Sequence, residues 1–94
     1  MDKTINTLRK EVEKIDIKLV NLLAKRFALT SEIGKCKHYL GLPAVDKSRV
    51  EQFLKRWKNM AKSHQISTEC IGEIAQKIHD LVVANHNKHY QLIK

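Results

Sequence analysis

From Lys3 to Tyr39 the chain reads KTINTLRKEVEKIDIKLVNLLAKRFALTSEIGKCKHY. Its apolar residues recur in alternating steps of three and four: Ile5, Leu8, Val12, Ile15, Leu19, Leu22, then Leu29, Ile33 and Cys36. A seam sustained over more than four such repeats predicts one long amphipathic helix. At 1.5 Å per residue the helix is roughly 50 Å long, more than the diameter of a small domain. Two short helices cannot cover it, and a partner chain is the expected cover. Gly34 lies inside the pattern at a cost of about 1 kcal/mol relative to Ala, yet the seam continues past it.

Outward from this segment, Gly41-Leu42-Pro43 reads as the loop that ends the helix. Asp46 is placed to cap a second helix, about Lys47 to Ser63, with the stripe Val50, Phe53, Leu54, Trp57, Met60, Ala61. Ser67 is placed to cap a third, about Thr68 to Leu92, with Ile71, Ile74, Ala75, Ile78, Leu81, Val82 and Tyr90. No segment alternates with period two, so no sheet is expected. The expectation is an all-α fold of one domain, residues 1–94, with a long first helix and two shorter ones.

Ninety-four residues suit a single domain, and a chain this short buries little of its surface alone. Eighteen Lys and Arg against ten Asp and Glu give a net charge of +8. That charge admits a nucleic acid, an anionic surface or a small anionic ligand, and only placement separates them. Cys36 and Cys70 form no CxxC pair and fall in helical patterns, so they are expected as reduced core residues. The N-terminus carries no apolar h-region and no stretch approaches a membrane span, so a cytoplasmic location is expected.

Arg26 interrupts the seam at a position that should be apolar. A buried charge costs several kcal/mol unless it is paired, and no carboxylate lies three or four residues away. The ordinary explanations are snorkelling or an ion pair with another helix. Lys37 favours a different one. It follows Arg26 by about three turns and projects from nearly the same face, some 16 Å along the helix. Two long cationic side chains leaning together suit a small dianion. Arg9 is about 25 Å before Arg26 along the axis, so it reaches the same ligand only from an antiparallel partner helix. Arg49 opens the second helix beside the loop. The Arg fork binds both oxygens of a carboxylate at once.

These residues carry a resemblance. Leu8-Arg9-Lys10-Glu11-Val12, Ile15-Asp16, Leu22-Leu23-Ala24-Lys25-Arg26, Ile33-Gly34-Lys35-Cys36-Lys37 and Pro43-Ala44-Val45-Asp46-Lys47-Ser48-Arg49 stand in the order and spacing of the all-helical chorismate mutases. The chain resembles that family over nearly its full length. The resemblance implies an intertwined homodimer of three-helix protomers with two shared active sites. It implies that Arg26, Lys37 and Arg49 of one protomer, with Arg9 of the other, hold the two carboxylates of chorismate. It also implies that Lys37 donates to the ether oxygen of the breaking bond and that Asp46 lines the site. The implied reaction is the pericyclic rearrangement of chorismate to prephenate, which needs no nucleophile, metal or cofactor.

Three positions depart from the usual pattern. Val50 stands where the family commonly has a Glu that binds the ring hydroxyl, with Glu51 one place later. Val82 stands at a Ser position, and His86 at a Gln or Glu position that completes the ether-oxygen site. An imidazole N–H donates a hydrogen bond, so His86 can fill the Gln role; its alternative is an ordinary surface histidine. Val50 keeps three substrates open: chorismate first, isochorismate (through the related isochorismate-pyruvate lyase) second, and 4-amino-4-deoxychorismate third.

Two non-enzyme readings compete. A nucleic-acid-binding module accounts for the charge but not for cations on a packing face, and its binding would fall steeply with salt. A structural coiled-coil dimer accounts for the seam but not for Arg26. His79, His86 and His89 lie at helical spacing with no Cys or carboxylate to complete a metal set, so no metal is expected. Phe53 and Trp57 are expected in the core.

Overall fold

The described residues form three helices: α1 (Asp2–Leu40), α2 (Lys47–Ser63) and α3 (Thr68–Tyr90). They are seen in a computed structural model that describes residues 2–90, with side chains from residue 4 onward. The all-α expectation holds, and among the described residues there is no strand. The third helix, expected to reach about Leu92, is described as far as Tyr90, and residues 91–94 lie outside the described residues.

Local chemistry sets each boundary. Gly41 takes a left-handed φ of 71°. This lets the Leu42 N–H donate to the Lys37 carbonyl (2.8 Å) and the Gly41 N–H to the His38 carbonyl (3.2 Å). The pair is a Schellman motif that closes α1. Asp46, in extended conformation, accepts from the N–H groups of Ser48 (3.0 Å) and Arg49 (3.4 Å), and so caps α2. The Ser67 hydroxyl accepts from the Cys70 N–H at 3.1 Å and caps α3. Between α2 and α3 a second Schellman turn forms, with Ile66 N–H donating to the Ala61 carbonyl (2.9 Å) and Gln65 N–H to the Lys62 carbonyl (3.2 Å). Here Gln65, not a glycine, takes the positive φ of 58°.

The chain divides into two units, residues 1–30 and residues 31–94. The first is the greater part of α1. Its apolar seam stays open to solvent in the single chain: Leu8 is 60% exposed and Leu22 63% exposed. Two ion pairs on exposed side chains of α1, Lys14–Glu11 (3.3 Å) and Lys35–Glu32 (3.2 Å), contribute little to stability.

The second unit holds the core, where α2 packs on α3. Phe53, Ala61 and Ala75 are buried, and Trp57 meets Phe53 edge-to-face with ring centroids 5.4 Å apart. The small Ala61 and Ala75 leave room for close approach of the two helices. The rest of the expected α3 stripe divides. Ile71, Ile78 and Val82 are half-buried, whereas Ile74 and Leu81 remain exposed. Cys36 and Cys70, expected in the core, are free and exposed. Helical spacing places a residue on a stripe, but a stripe is buried only where something covers it. Cys36 lies on the uncovered seam of α1, and Cys70 lies in the first turn of α3.

Candidate active site

The predicted site residues fall in both units. In the first, Arg9 is exposed and Arg26 is half-buried on α1. In the second, the end of α1, the following loop, the start of α2 and the last turns of α3 contribute Lys37, Asp46, Arg49, Val50, Val82 and His86.

Lys37 is half-buried and its ammonium donates to the Ala44 carbonyl at 3.1 Å. The Schellman turn at Gly41 supplies this contact, because it folds the loop back along the last turn of α1. Lys37 is thereby held in place by backbone rather than left to wander. Asp46 spends its carboxylate on the α2 cap, and that cap fixes the first turn in which exposed Arg49 and half-buried Val50 sit. Val82 is half-buried on α3.

His86 projects from α3 onto α1. A Cβ on buried Gly34 would lie 3.0 Å from His86 Nδ1. One residue earlier on α3, the Asn85 amide donates to the Ser31 hydroxyl at 3.1 Å. These two contacts tie the last turns of α3 to the end of α1. His86 is half-buried there. Burial lowers its pKa from the ordinary 6.5, and the positive charge of Lys37, then that of His38, lowers it further. At neutral pH the ring is therefore uncharged and keeps one N–H to donate.

An aromatic cluster adjoins this point. Tyr90 stacks on His38 with centroids 4.2 Å apart and 19° between planes, and meets His86 at 4.7 Å. His89 stands farther off at 6.3 Å and donates from Nδ1 to the Asn85 carbonyl at 2.9 Å. Sequence reasoning places Tyr90 only on an apolar stripe and does not single out His38. The spacing of His86 and Tyr90, one turn apart on α3, is the available signal. A shallow concavity of about 480 Å³ lies elsewhere, lined by Gln52, Lys55, Arg56, Asn59, Met60 and Ser63. All of these belong to α2, and none is a predicted site residue.

The second unit holds a braced ammonium at Lys37, an imidazole N–H donor packed one turn earlier on α1 at Gly34, and an Arg in the first turn of the next helix. It offers cationic and hydrogen-bonding groups and suits an anionic ligand.

Comparison with known proteins identifies the family. The family model for chorismate mutase type II matches residues 8–87. The T-protein of Haemophilus influenzae is 31% identical over 86 residues, covering 92% of this chain and 23% of that protein. The chorismate mutase of Methanocaldococcus jannaschii is 29% identical over 91 residues, covering 97% of this chain and 87% of that protein. The bifunctional chorismate mutase/prephenate dehydratase of Escherichia coli is 34% identical over 71 residues, covering 76% of this chain and 18% of that protein. The chain thus spans about a quarter or less of the first and third of these relatives and most of the second. With the family model matching from Leu8 to Asn87, the chain belongs to the chorismate mutase type II family.

Proposed function

We propose that this chain is a chorismate mutase, rearranging chorismate to prephenate within a single helical domain, residues 1–94, that works as a homodimer. The observation that carries the reading is that His86 meets α1 at Gly34, one turn before the Lys37 held by the Ala44 carbonyl, in a chain of this family.

In this reading Arg26, Lys37 and Arg49 of one protomer and Arg9 of the other grip the two carboxylates of the substrate. Asp46, Val50 and Val82 line the remaining wall. The grip holds the enolpyruvyl arm over the ring, so the reacting carbons meet without a search through other conformers. As the C–O bond lengthens, negative charge grows on the ether oxygen. Lys37 and His86 donate to that oxygen and stabilise the charge, and donors fixed in advance cost no reorganisation. No atom leaves and none is added; one C–O bond breaks while one C–C bond forms.

The dimer is supported by the open seam of α1. Leu8, Val12, Ile15, Leu19, Leu22 and Leu29 are all more than half exposed in the single chain. A row of large apolar residues of this length marks an interaction surface, and an antiparallel second copy is the cover that brings Arg9 to the site. Light scattering tests it. A dimer is expected, and a monomer removes Arg9 from the site.

The activity is tested by product assay of the purified protein with chorismate and, separately, with isochorismate. Prephenate from chorismate is the expected result. Half-buried Val50, apolar where the family commonly has Glu, favours isochorismate as the second reading. Salicylate and pyruvate from isochorismate, with little prephenate, would make the protein a lyase. Silence with both brings 4-amino-4-deoxychorismate forward.

A further inference from the structure

We propose that Tyr90 is a positioning residue for His86: its ring, stacked on His38 at the end of α1, holds the His86 imidazole against α1 over Gly34. The inference rests on the reading of His86 as a donor to the ether oxygen.

The geometry carries it. His86 meets α1 at Gly34, where there is no side chain to grip an imidazole. A ring against a bare stretch of helix is free to swing unless something backs it. Tyr90 lies one turn further along α3, with its ring centroid 4.7 Å from that of His86. Tyr90 is itself anchored, because it stacks nearly parallel on His38 at 4.2 Å. His38 belongs to α1 and follows Lys37 directly. The three rings therefore bridge from the last turn of α1 to α3 and back to the imidazole at Gly34.

Backing of this kind has a chemical consequence. A donor displaced by about 1 Å can cost on the order of 100-fold in rate. Tyr90 need not touch the substrate to matter; it limits where the His86 N–H points. The role asks for a flat aromatic face and not for a hydroxyl. Phe should therefore serve in place of Tyr, and a branched aliphatic residue should not.

The test compares Tyr90→Phe and Tyr90→Leu in the full chain. In wild type and Tyr90→Phe, NMR should show the His86 ring protons shifted by the neighbouring aromatic ring, with ring-to-ring NOEs between residues 86 and 90. Tyr90→Leu should lose the shift. With chorismate, Tyr90→Phe should keep kcat within about twofold, and Tyr90→Leu should lose about tenfold in kcat with little change in KM, an interval inside the cost of misplacement. Unchanged kcat in a folded Tyr90→Leu overturns the proposal. So does the absence of NOEs between His86 and Tyr90 in the wild-type protein, a result that holds even if the leucine variant fails to fold. If wild type turns over no chorismate while the NOEs and ring shifts are present, the proposed reaction fails and the catalytic role of Tyr90 falls with it, leaving the ring contact as structure only.

Discussion

His86 Nδ1 lies 3.0 Å from the point where a Cβ on Gly34 would stand. The contact explains why a helix as long as α1 carries a glycine at a position where alanine would favour the helix more. Glycine leaves the space that an imidazole from α3 occupies. Gly34→Ala should therefore improve helix propensity by about 1 kcal/mol while pushing His86 outward by a few tenths of an ångström. The expected outcome is an unchanged or higher Tm by circular dichroism, with kcat for chorismate reduced about tenfold, equivalent to about 1.4 kcal/mol in the barrier. A variant with full turnover would show that His86 need not sit where it does.

Lys37 is braced by the Ala44 carbonyl, and its charge bears on His86. Removal of one preorganised donor to a developing oxyanion costs about 100- to 1000-fold in kcat. Lys37→Ala should lose at least that much, and Arg26→Ala, which removes a fork of the carboxylate grip, should also abolish turnover, both with helical content and dimer intact. Steady-state kinetics beside light scattering separates a lost donor from a lost fold; wild-type rates in either variant would remove that residue from the site.

His86 also predicts a pH effect on stability. Its pKa is lowered in the folded chain by burial and by the charges of Lys37 and His38, so the unfolded chain binds this proton more readily. Stability from this group is present above the unfolded value of 6.5 and is lost as pH falls through the folded pKa. Urea unfolding at stepped pH below neutrality should show a decline in wild type that is smaller in His86→Gln. An equal decline in both would assign it to other groups.

Gln65 holds a φ of 58° that an L side chain rarely adopts, at the turn that joins α2 to α3. Gly at this position removes the strain, and Gln65→Gly should stabilise the fold by about 1 kcal/mol. For a domain of this size that corresponds to a rise in Tm of about 4–8 °C. A fall in Tm would mean that the entropy added to the unfolded chain outweighs the strain relieved.

Much of this protein is local and was legible in the sequence. The 3.6-residue period, the Gly41 stop, and the Asp46 and Ser67 caps act over a turn or two of chain, so residue order alone determines the three described helices, the end of α1 and the starts of α2 and α3. The motifs around Arg9, Arg26, Lys37 and Arg49 likewise lie in linear order and pointed to the family. Burial was not legible in this way. Periodicity marked the α1 seam and Cys36 as inward-facing, yet they stay exposed in the single chain, because the period of a helix states which residues share a face and not what covers it. Neither was the setting of His86. Its meeting with Gly34, the Tyr90 ring between it and His38, and the brace of Ala44 on Lys37 depend on where α3 and the loop come to rest against the end of α1. For Gly34 and His86, that meeting joins residues far apart in the chain, and only tertiary packing brings such residues together.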